Sequence, residues 1–198
     1  MATLPAHFVA IDRYLEIERE SEFRCEYIDG QVYPVSASTH NHTRIVRNAL
    51  VRLSEQLRNQ PCEPVSSDLK TFIAAYRVFT YPDVVVTCGP AAYYDARRDT
   101  ITDATLIIEV LSPSTKDYDR GQKFQYYRSL PSFSEYVLIS QEEIRAEHYV
   151  RQSDKSWVLR DFVSPSDDLE LGSIGCRLLL DSLYERVEFA GSEESRTG

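Results

Sequence analysis

The sequence of 198 residues lacks the features that mark membrane, secreted, repetitive and disordered proteins. No apolar run approaches the roughly 18 residues needed to cross a bilayer, so we expect no membrane association. The first 13 residues contain no basic segment followed by a hydrophobic one, so we expect no secretory signal and a cytoplasmic location. No repeat or low-complexity linker divides the chain. We therefore expect one folded domain over residues 1–190 and a polar tail without regular structure over residues 191–198.

Cysteine is scarce, and the four cysteines are far apart in the sequence. They are Cys25, Cys62, Cys88 and Cys176, with no CxxC pair among them. Closely spaced cysteines would predict a zinc site, and a small cysteine-dense chain would predict a disulfide framework. Neither pattern is present, so we expect four reduced, partly buried thiols.

Lysine is also scarce, although the chain has 22 basic residues. Only four of these are lysines: Lys70, Lys116, Lys123 and Lys155. The 31 acidic residues give a net charge of −9. This charge argues against a protein that coats nucleic acid by electrostatic attraction alone, but it is compatible with an enzyme that has a local basic groove.

The hydrophobic pattern predicts alternating helices and strands. Helices are predicted over residues 7–19 and 41–57, from residue 117 or 119 to about 129, and over 178–187. Strands are predicted over residues 65–73, 81–87, 105–111 and 135–140, with a polar loop over 89–103. Hairpins are predicted over 25–33, around the Asp-Gly turn signal, and over 144–150 with 157–163. This order indicates a mixed α/β (α+β) fold around a central sheet.

Glu109 is the most unusual residue in this pattern, because it lies within a near-continuous apolar strand. An ionised carboxylate there is unfavourable unless it is paired or holds a cation. Asp83 begins another apolar strand 26 residues earlier. If the two strands pair, both carboxylates can converge at one end of the sheet and form a Mg²⁺ or Mn²⁺ site. Alternatively, Glu109 pairs with an arginine and Asp83 only caps a turn.

Several short motifs resemble those of the "putative restriction endonuclease" family of the PD-(D/E)XK nuclease superfamily. The most specific is the segment EVLSPST at residues 109–115, followed by Asp119-Arg120, Lys123 and a later Glu135-Tyr136 strand. Pro82-Asp83 matches the first half of the superfamily motif and Glu109 the second half. The resemblance covers residues 8 to 185. It implies a restriction-endonuclease-like central sheet flanked by helices, with an N-terminal helix and hairpin and a C-terminal hairpin added.

The resemblance also implies a catalytic set, with one departure. The superfamily motif continues Glu-x-Lys, but here Val110 and Leu111 follow Glu109. Lys123, 14 residues later in the predicted helix, matches the family's own lysine and is expected to replace it. Asp83 and Glu109 are the expected metal ligands, and Glu26 in the first hairpin is expected to hold a further ligand or a water. Each of these residues could instead have only a structural role.

Three further residues are candidate substrate contacts. His42 matches a family residue near the site, although a solvated or capping histidine is an equal alternative. Lys70, on the strand before Asp83, is the second choice for the missing lysine. Arg120 could hold a phosphate by two hydrogen bonds or form a structural ion pair. The 13 tyrosines could stack on bases, although most are expected in the core or at interfaces.

The resemblance implies a Mg²⁺- or Mn²⁺-dependent endodeoxyribonuclease that binds DNA weakly and in a salt-sensitive manner, and that forms a homodimer. A second hypothesis is a catalytically inactive homodimeric scaffold or binding module of the same fold, which the net charge of −9 favours. A third is a metal-dependent enzyme acting on a smaller phosphate ester. The sequence does not identify a target sequence, a choice between DNA and RNA, or a partner methyltransferase.

Overall fold

The computed structural model describes residues 8–189, and the tail expected over residues 191–198 lies outside them. The chain order begins with helix α1 (Ile11–Glu20), the hairpin β1 (Cys25–Ile28) and β2 (Gln31–Pro34), and helix α2 (His40–Leu57). Strands β3 (Cys62–Ser66), β4 (Lys70–Ile73), β5 (Val78–Thr80), β6 (Val84–Cys88), β7 (Thr100–Ile101) and β8 (Leu106–Leu111) follow. Among the described residues, no helix combines the length and the apolar composition required to cross a bilayer.

The second half of the described chain begins with one helical segment in three parts. These are α3 (Lys116–Tyr118), a π-helical turn (Asp119–Lys123) and α4 (Phe124–Tyr127), and we call the whole of residues 116–127 the site helix. Strands β9 (Glu135–Ser140), β10 (Ala146–Arg151), β11 (Trp157–Phe162), β12 (Asp168–Leu171) and β13 (Cys176–Leu179) come next. A short helix, α5 (Leu180–Leu183), follows β13.

The main sheet has six strands in the order β11-β10-β9-β8-β6-β3. It is mixed, because β8 and β9 are parallel while the other neighbours are antiparallel. Strand β8 is buried along its whole length, as its continuous apolar composition predicts. Alternate side chains of β8 enter two different cores: Leu106, Ile108 and Val110 pack on the α2 side, and Ile107 and Leu111 pack on the side of the site helix.

A second sheet of five strands, in the order β2-β1-β5-β4-β7, carries the N-terminal hairpin. The hairpin is therefore part of a larger sheet rather than a separate addition. Its turn has Asp29 at φ 43° and Gly30 at φ 97°, the left-handed conformations that a tight two-residue turn requires. The mixed α+β architecture with few flanking helices confirms the expected fold class.

Three local predictions are wrong. The single strand predicted over residues 65–73 is two strands, β3 in the main sheet and β4 in the second sheet. The segment predicted as a helix over residues 178–187 begins in strand β13, which pairs with β12, and the helix is limited to Leu180–Leu183. Leu178 in the strand and Leu180 in the helix are both buried, so the apolar pattern could not distinguish a strand from a helix here. Cys62 and Cys88, predicted as thiols, are opposed on β3 and β6 and form a disulfide. Cys25 and Cys176 are unpaired.

Candidate active site

Asp83 and Glu109 meet at the end of the main sheet. Strands β6 and β8 are antiparallel neighbours with Val84 opposite Ile108, which brings the residue before β6 beside Glu109. The Asp83 amide donates to Glu109 Oε2 over 3.3 Å, and the Val110 amide donates to Asp83 Oδ2 over 2.8 Å. The convergence expected from the 26-residue spacing is therefore present. Glu109 is buried, whereas the Asp83 side chain is 16% exposed at the opening of the site.

Lys123 reaches this pair from the site helix. Its Nζ lies 2.8 Å from Glu109 Oε1, 3.6 Å from Asp119 Oδ1 and 3.9 Å from Glu26 Oε1. The lysine belongs to the π-helical turn, a wider turn that often occurs at functional sites. The ammonium is thus within hydrogen-bond distance of the buried carboxylate, as a replacement for the missing strand lysine requires. Leu111, at the position of the superfamily lysine, is buried in the core instead.

Glu26 comes to the site from strand β1 of the second sheet. Its Oε1 accepts a hydrogen bond from the Tyr81 amide over 3.1 Å, and its side chain is 15% exposed. The segment between β5 and β6, which contains Tyr81, therefore connects the two sheets at this point. Glu26, Asp83 and Glu109 come from three different strands, and only the packing of both sheets places them together.

The site contains more negative than positive charge. Three carboxylates, those of Glu26, Glu109 and Asp119, lie within 4 Å of the ammonium of Lys123. Asp83 is a fourth carboxylate, next to Glu109. Burial raises the pKa of Glu109 to about 8, and repulsion from Asp83 and Asp119 adds to this effect while Lys123 opposes it. Burial alone would lower the pKa of Lys123, but attraction to its carboxylates outweighs burial and raises it. The lysine is therefore held in its charged form.

This donor set fits a hard divalent cation. Carboxylate oxygens are the ligands that Mg²⁺ and Mn²⁺ prefer, and a cation would offset the excess negative charge. Both oxygens of Glu109 already accept hydrogen bonds from protein groups. Among residues 8–189, no three or more His, Cys, Asp or Glu side chains are arranged as a ready metal-ligand group. Asp83 and Glu109 would therefore supply few ligands and leave several positions to water.

Two other side chains complete the hydrogen bonding of the carboxylates. His42, at the first turn of α2, places Nε2 3.1 Å from Asp83 Oδ2, which brings the expected rim histidine into the site. The Tyr127 hydroxyl donates to Glu109 Oε1 over 2.9 Å and lies 3.0 Å from Thr80 Oγ1. The sequence assigned no role to Tyr127 or Asp119. Their spacing of four residues on either side of Lys123 is the signal that could have identified them.

Lys70 and Arg120 have ion-pair partners outside this cluster. Lys70 is buried, with Nζ 2.7 Å from Glu18 and 3.5 Å from Asp99. Arg120 forms an ion pair with Glu147 on β10 at 2.7 Å, which is the structural alternative that the sequence left open. The structure thus brings Glu26, His42, Asp83, Glu109 and Lys123 together and places Lys70 and Arg120 in other ion pairs.

Comparisons with known proteins agree on one family and fold. The Uma2 family profile, described as "Putative restriction endonuclease", matches residues 11–178. Uncharacterized protein slr1290 of Synechocystis sp. is 36% identical over 180 residues, which cover 90% of this chain and 92% of that protein. Uncharacterized protein sll1609 of the same organism is 32% identical over 157 residues, covering 79% and 89%. The crystal structure of a "putative nuclease belonging to DUF820" from Anabaena variabilis superposes with a TM-score of 0.73 at 16% identity. The superposition covers 89% of this chain and 98% of that one, and it shows a shared fold.

Proposed function

The chain belongs to the Uma2 family, and from this premise we propose that it is a metal-dependent endonuclease that hydrolyses phosphodiester bonds in DNA. The observation that carries the proposal is the contact of Lys123 with Glu109 at 2.8 Å. This contact restores a lysine to a carboxylate pair that lacks one on its own strand. In the alternative, an inactive scaffold of the same fold, Lys123 would be only a buried ion-pair partner, as Lys70 is for Glu18.

In the proposed mechanism, Asp83 and Glu109 would hold Mg²⁺ or Mn²⁺, together with the main-chain carbonyl near Val110. When bound, the metal ion would supply Lewis-acid polarisation of the scissile phosphate and a more acidic water. The Lys123 ammonium would orient the attacking water and stabilise negative charge on the phosphorane-like transition state. Glu26, which is partly exposed, would accept the proton that the water loses.

The proposed reaction is a direct in-line hydrolysis without a covalent intermediate. A bond forms between the water oxygen and phosphorus, and the bond between phosphorus and the leaving oxygen breaks. The leaving oxygen takes a proton from solvent. Tyr127 would hold the Glu109 carboxylate in place through its hydrogen bond, and His42 would do the same for Asp83. These two residues position the ligands and need not contact the substrate.

A nicking assay on supercoiled plasmid with Mg²⁺ or Mn²⁺ tests the proposal. Asp83→Asn is the matched variant, because its side-chain oxygen can still accept the hydrogen bond from the Val110 amide. We expect the wild type to nick DNA and the variant to lose both nicking and the heat of metal binding in calorimetry. Equal heats in the two proteins would refute the metal site. A wild type that binds metal but never cuts would support the scaffold.

A further inference from the structure

A half-exposed tyrosine lies directly beside the site carboxylate Glu26. Tyr33 on β2 is the partner of Glu26 on β1 in the antiparallel register. Directly opposed residues of antiparallel strands project to the same face, with Cβ atoms about 5 Å apart. Tyr33 is 48% exposed. Its ring therefore stands at the edge of the site.

A second exposed tyrosine contacts the site helix. Tyr76, in the turn between β4 and β5, is 37% exposed, and its ring centroid lies 5.0 Å from that of Tyr126 on the site helix. Burial raises the pKa of Tyr126, a hydrogen bond from Gln122 opposes this effect, and Tyr33 and Tyr76 add to it. Because Glu26, directly opposite Tyr33, lies 3.9 Å from Lys123 of the site helix, Tyr33 borders the same helix that Tyr76 contacts.

A third tyrosine connects this group to the carboxylates. The Tyr118 hydroxyl is buried and has no hydrogen-bond partner within residues 8–189. Burial raises its pKa, and the charged and aromatic groups that act on it include Glu26, Lys123, Tyr126 and Glu109. A buried hydroxyl without a partner is unfavourable unless a ligand or water supplies one. Tyr118 therefore places an unpartnered hydroxyl on the same site helix that carries Lys123 and Tyr126.

Three cations near these tyrosines are paired with carboxylates, and of the cations on the site helix or directly after it only Lys116 and Arg128 have no ion pair among residues 8–189. Lys123 contacts Glu109, Arg77 at the end of the turn containing Tyr76 pairs with Asp29, and Arg120 pairs with Glu147. A duplex presents mainly phosphates to a protein and needs unpaired cations to bind strongly. Unpaired bases instead offer flat faces that stack on aromatic rings, whatever their sequence. The chemistry of the surface beside the site therefore suits unpaired bases better than a duplex.

We propose that the exposed Tyr33 and Tyr76, with Tyr126 packed against Tyr76 and the Tyr118 hydroxyl nearby, form a surface, which we call the tyrosine rim, that binds unpaired bases. Single-stranded DNA would therefore be bound in preference to duplex. Cleavage of the bound strand rests on the proposed nuclease function, but binding of the strand does not. Tyr33 and Tyr76 stack on bases, and the Tyr118 hydroxyl donates to the strand as it passes beside Glu26.

Binding measured by fluorescence anisotropy tests the inference without cleavage. The probes are a fluorescein-labelled single strand of about 12 nucleotides, within the usual site size, and the same strand in a duplex, both in EDTA. We expect the single strand to bind more tightly than the duplex. Tyr33→Thr, which keeps a strand-forming residue, should weaken single-strand binding about tenfold, and Tyr33→Phe should retain it.

Tyr93→Thr is the matched control, because Tyr93 is 41% exposed and bridges to β7, at the opposite edge of the second sheet from β2. It should leave binding unchanged. Melting curves establish that each variant is folded. Equal or tighter binding of the duplex, or an unchanged affinity in Tyr33→Thr, would overturn the inference. A change of oligomeric state in Tyr33→Thr would show that the rim is a subunit interface and would also overturn it.

The two proposals fail in different ways. Single-strand binding that depends on Tyr33, with no cleavage by the wild type in Mg²⁺ or Mn²⁺, would keep the tyrosine rim and remove the nuclease. Cleavage of duplex DNA at the same rate by the wild type and Tyr33→Thr would keep the nuclease and remove the rim.

Discussion

Replacing Lys123 with methionine would remove one ammonium from the site and keep most of the side-chain volume. The ammonium contacts Glu109 at 2.8 Å, and the lysine side chain is 7% exposed, so solvent cannot replace it. Loss of one preorganised electrostatic donor lowers a catalytic rate on the order of 100-fold or more, about 3 kcal/mol. We expect Lys123→Met to reduce nicking by at least this factor.

The same substitution should change stability in a way that depends on pH. The lysine is buried in an ion pair with Glu109. Removing one partner of such a pair costs roughly 3 kcal/mol when the other stays charged. The pKa of Glu109 is about 8 although Lys123 lowers it, so Glu109 keeps its proton at pH 7 in both proteins and keeps it to a higher pH in the variant. The stability difference should therefore be small at pH 7 and widen above pH 8.

Lys70→Met is the matched control, because it removes another buried lysine. Lys70 contacts Glu18 at 2.7 Å and has no contact with Glu109, so this variant should lose stability but retain nicking. Urea unfolding at pH 7 and 9 and nicking at one saturating Mg²⁺ concentration measure both effects. Nicking that survives Lys123→Met and fails in Lys70→Met would refute our assignment of the lysine. Nicking retained in both variants would show that neither lysine takes part.

Three further predictions concern the whole protein. Glu109, whose pKa is raised to about 8, keeps a proton in the folded state that the unfolded chain has lost. Without metal, the free energy of unfolding should therefore fall by roughly 1 kcal/mol per pH unit from about pH 5 to 8. Glu109→Gln should remove this slope in urea titrations with EDTA, and a flat wild-type profile would contradict the prediction. We expect a homodimer, because two sites related by a two-fold axis can cut both strands of a duplex. Light scattering should give twice 22.8 kDa, and a monomer at micromolar concentration would count against it. Because few cations near the site are unpaired, the slope of log DNA affinity against log salt concentration should correspond to only a few phosphate contacts. A steep slope would contradict this description of the surface.

Short-range patterns in the sequence determined most of the individual elements. The Asp29-Gly30 turn, the apolar strand around Glu109 and strand β9 are set by neighbouring residues, and the structure has each of them where the pattern predicts. The anomaly of Glu109 was visible for the same reason, because a carboxylate among five apolar residues stands out locally. Its partner Asp83 followed from the length of the loop that joins two adjacent strands.

Long-range packing decided what the sequence left open. The disulfide between Cys62 and Cys88 depends on the register of β3 against β6, which no local pattern states. Lys123 was a candidate because it matches the family's lysine, and Lys70 because it is on the strand before Asp83. Only the path of the site helix over the sheet places Lys123 beside Glu109.

Two tyrosines of the first hairpin show most clearly what a local sequence pattern leaves undetermined. Tyr27 and Tyr33 lie six residues apart in one hairpin, yet Tyr27 is fully buried and Tyr33 is half-exposed beside Glu26. Alternation along a strand assigns a residue to one face or the other, but which face is covered depends on the elements packed against it. Here α1 and β5 cover the face of Tyr27. The other face borders the open site, because the site helix approaches it with Lys123 near Glu26.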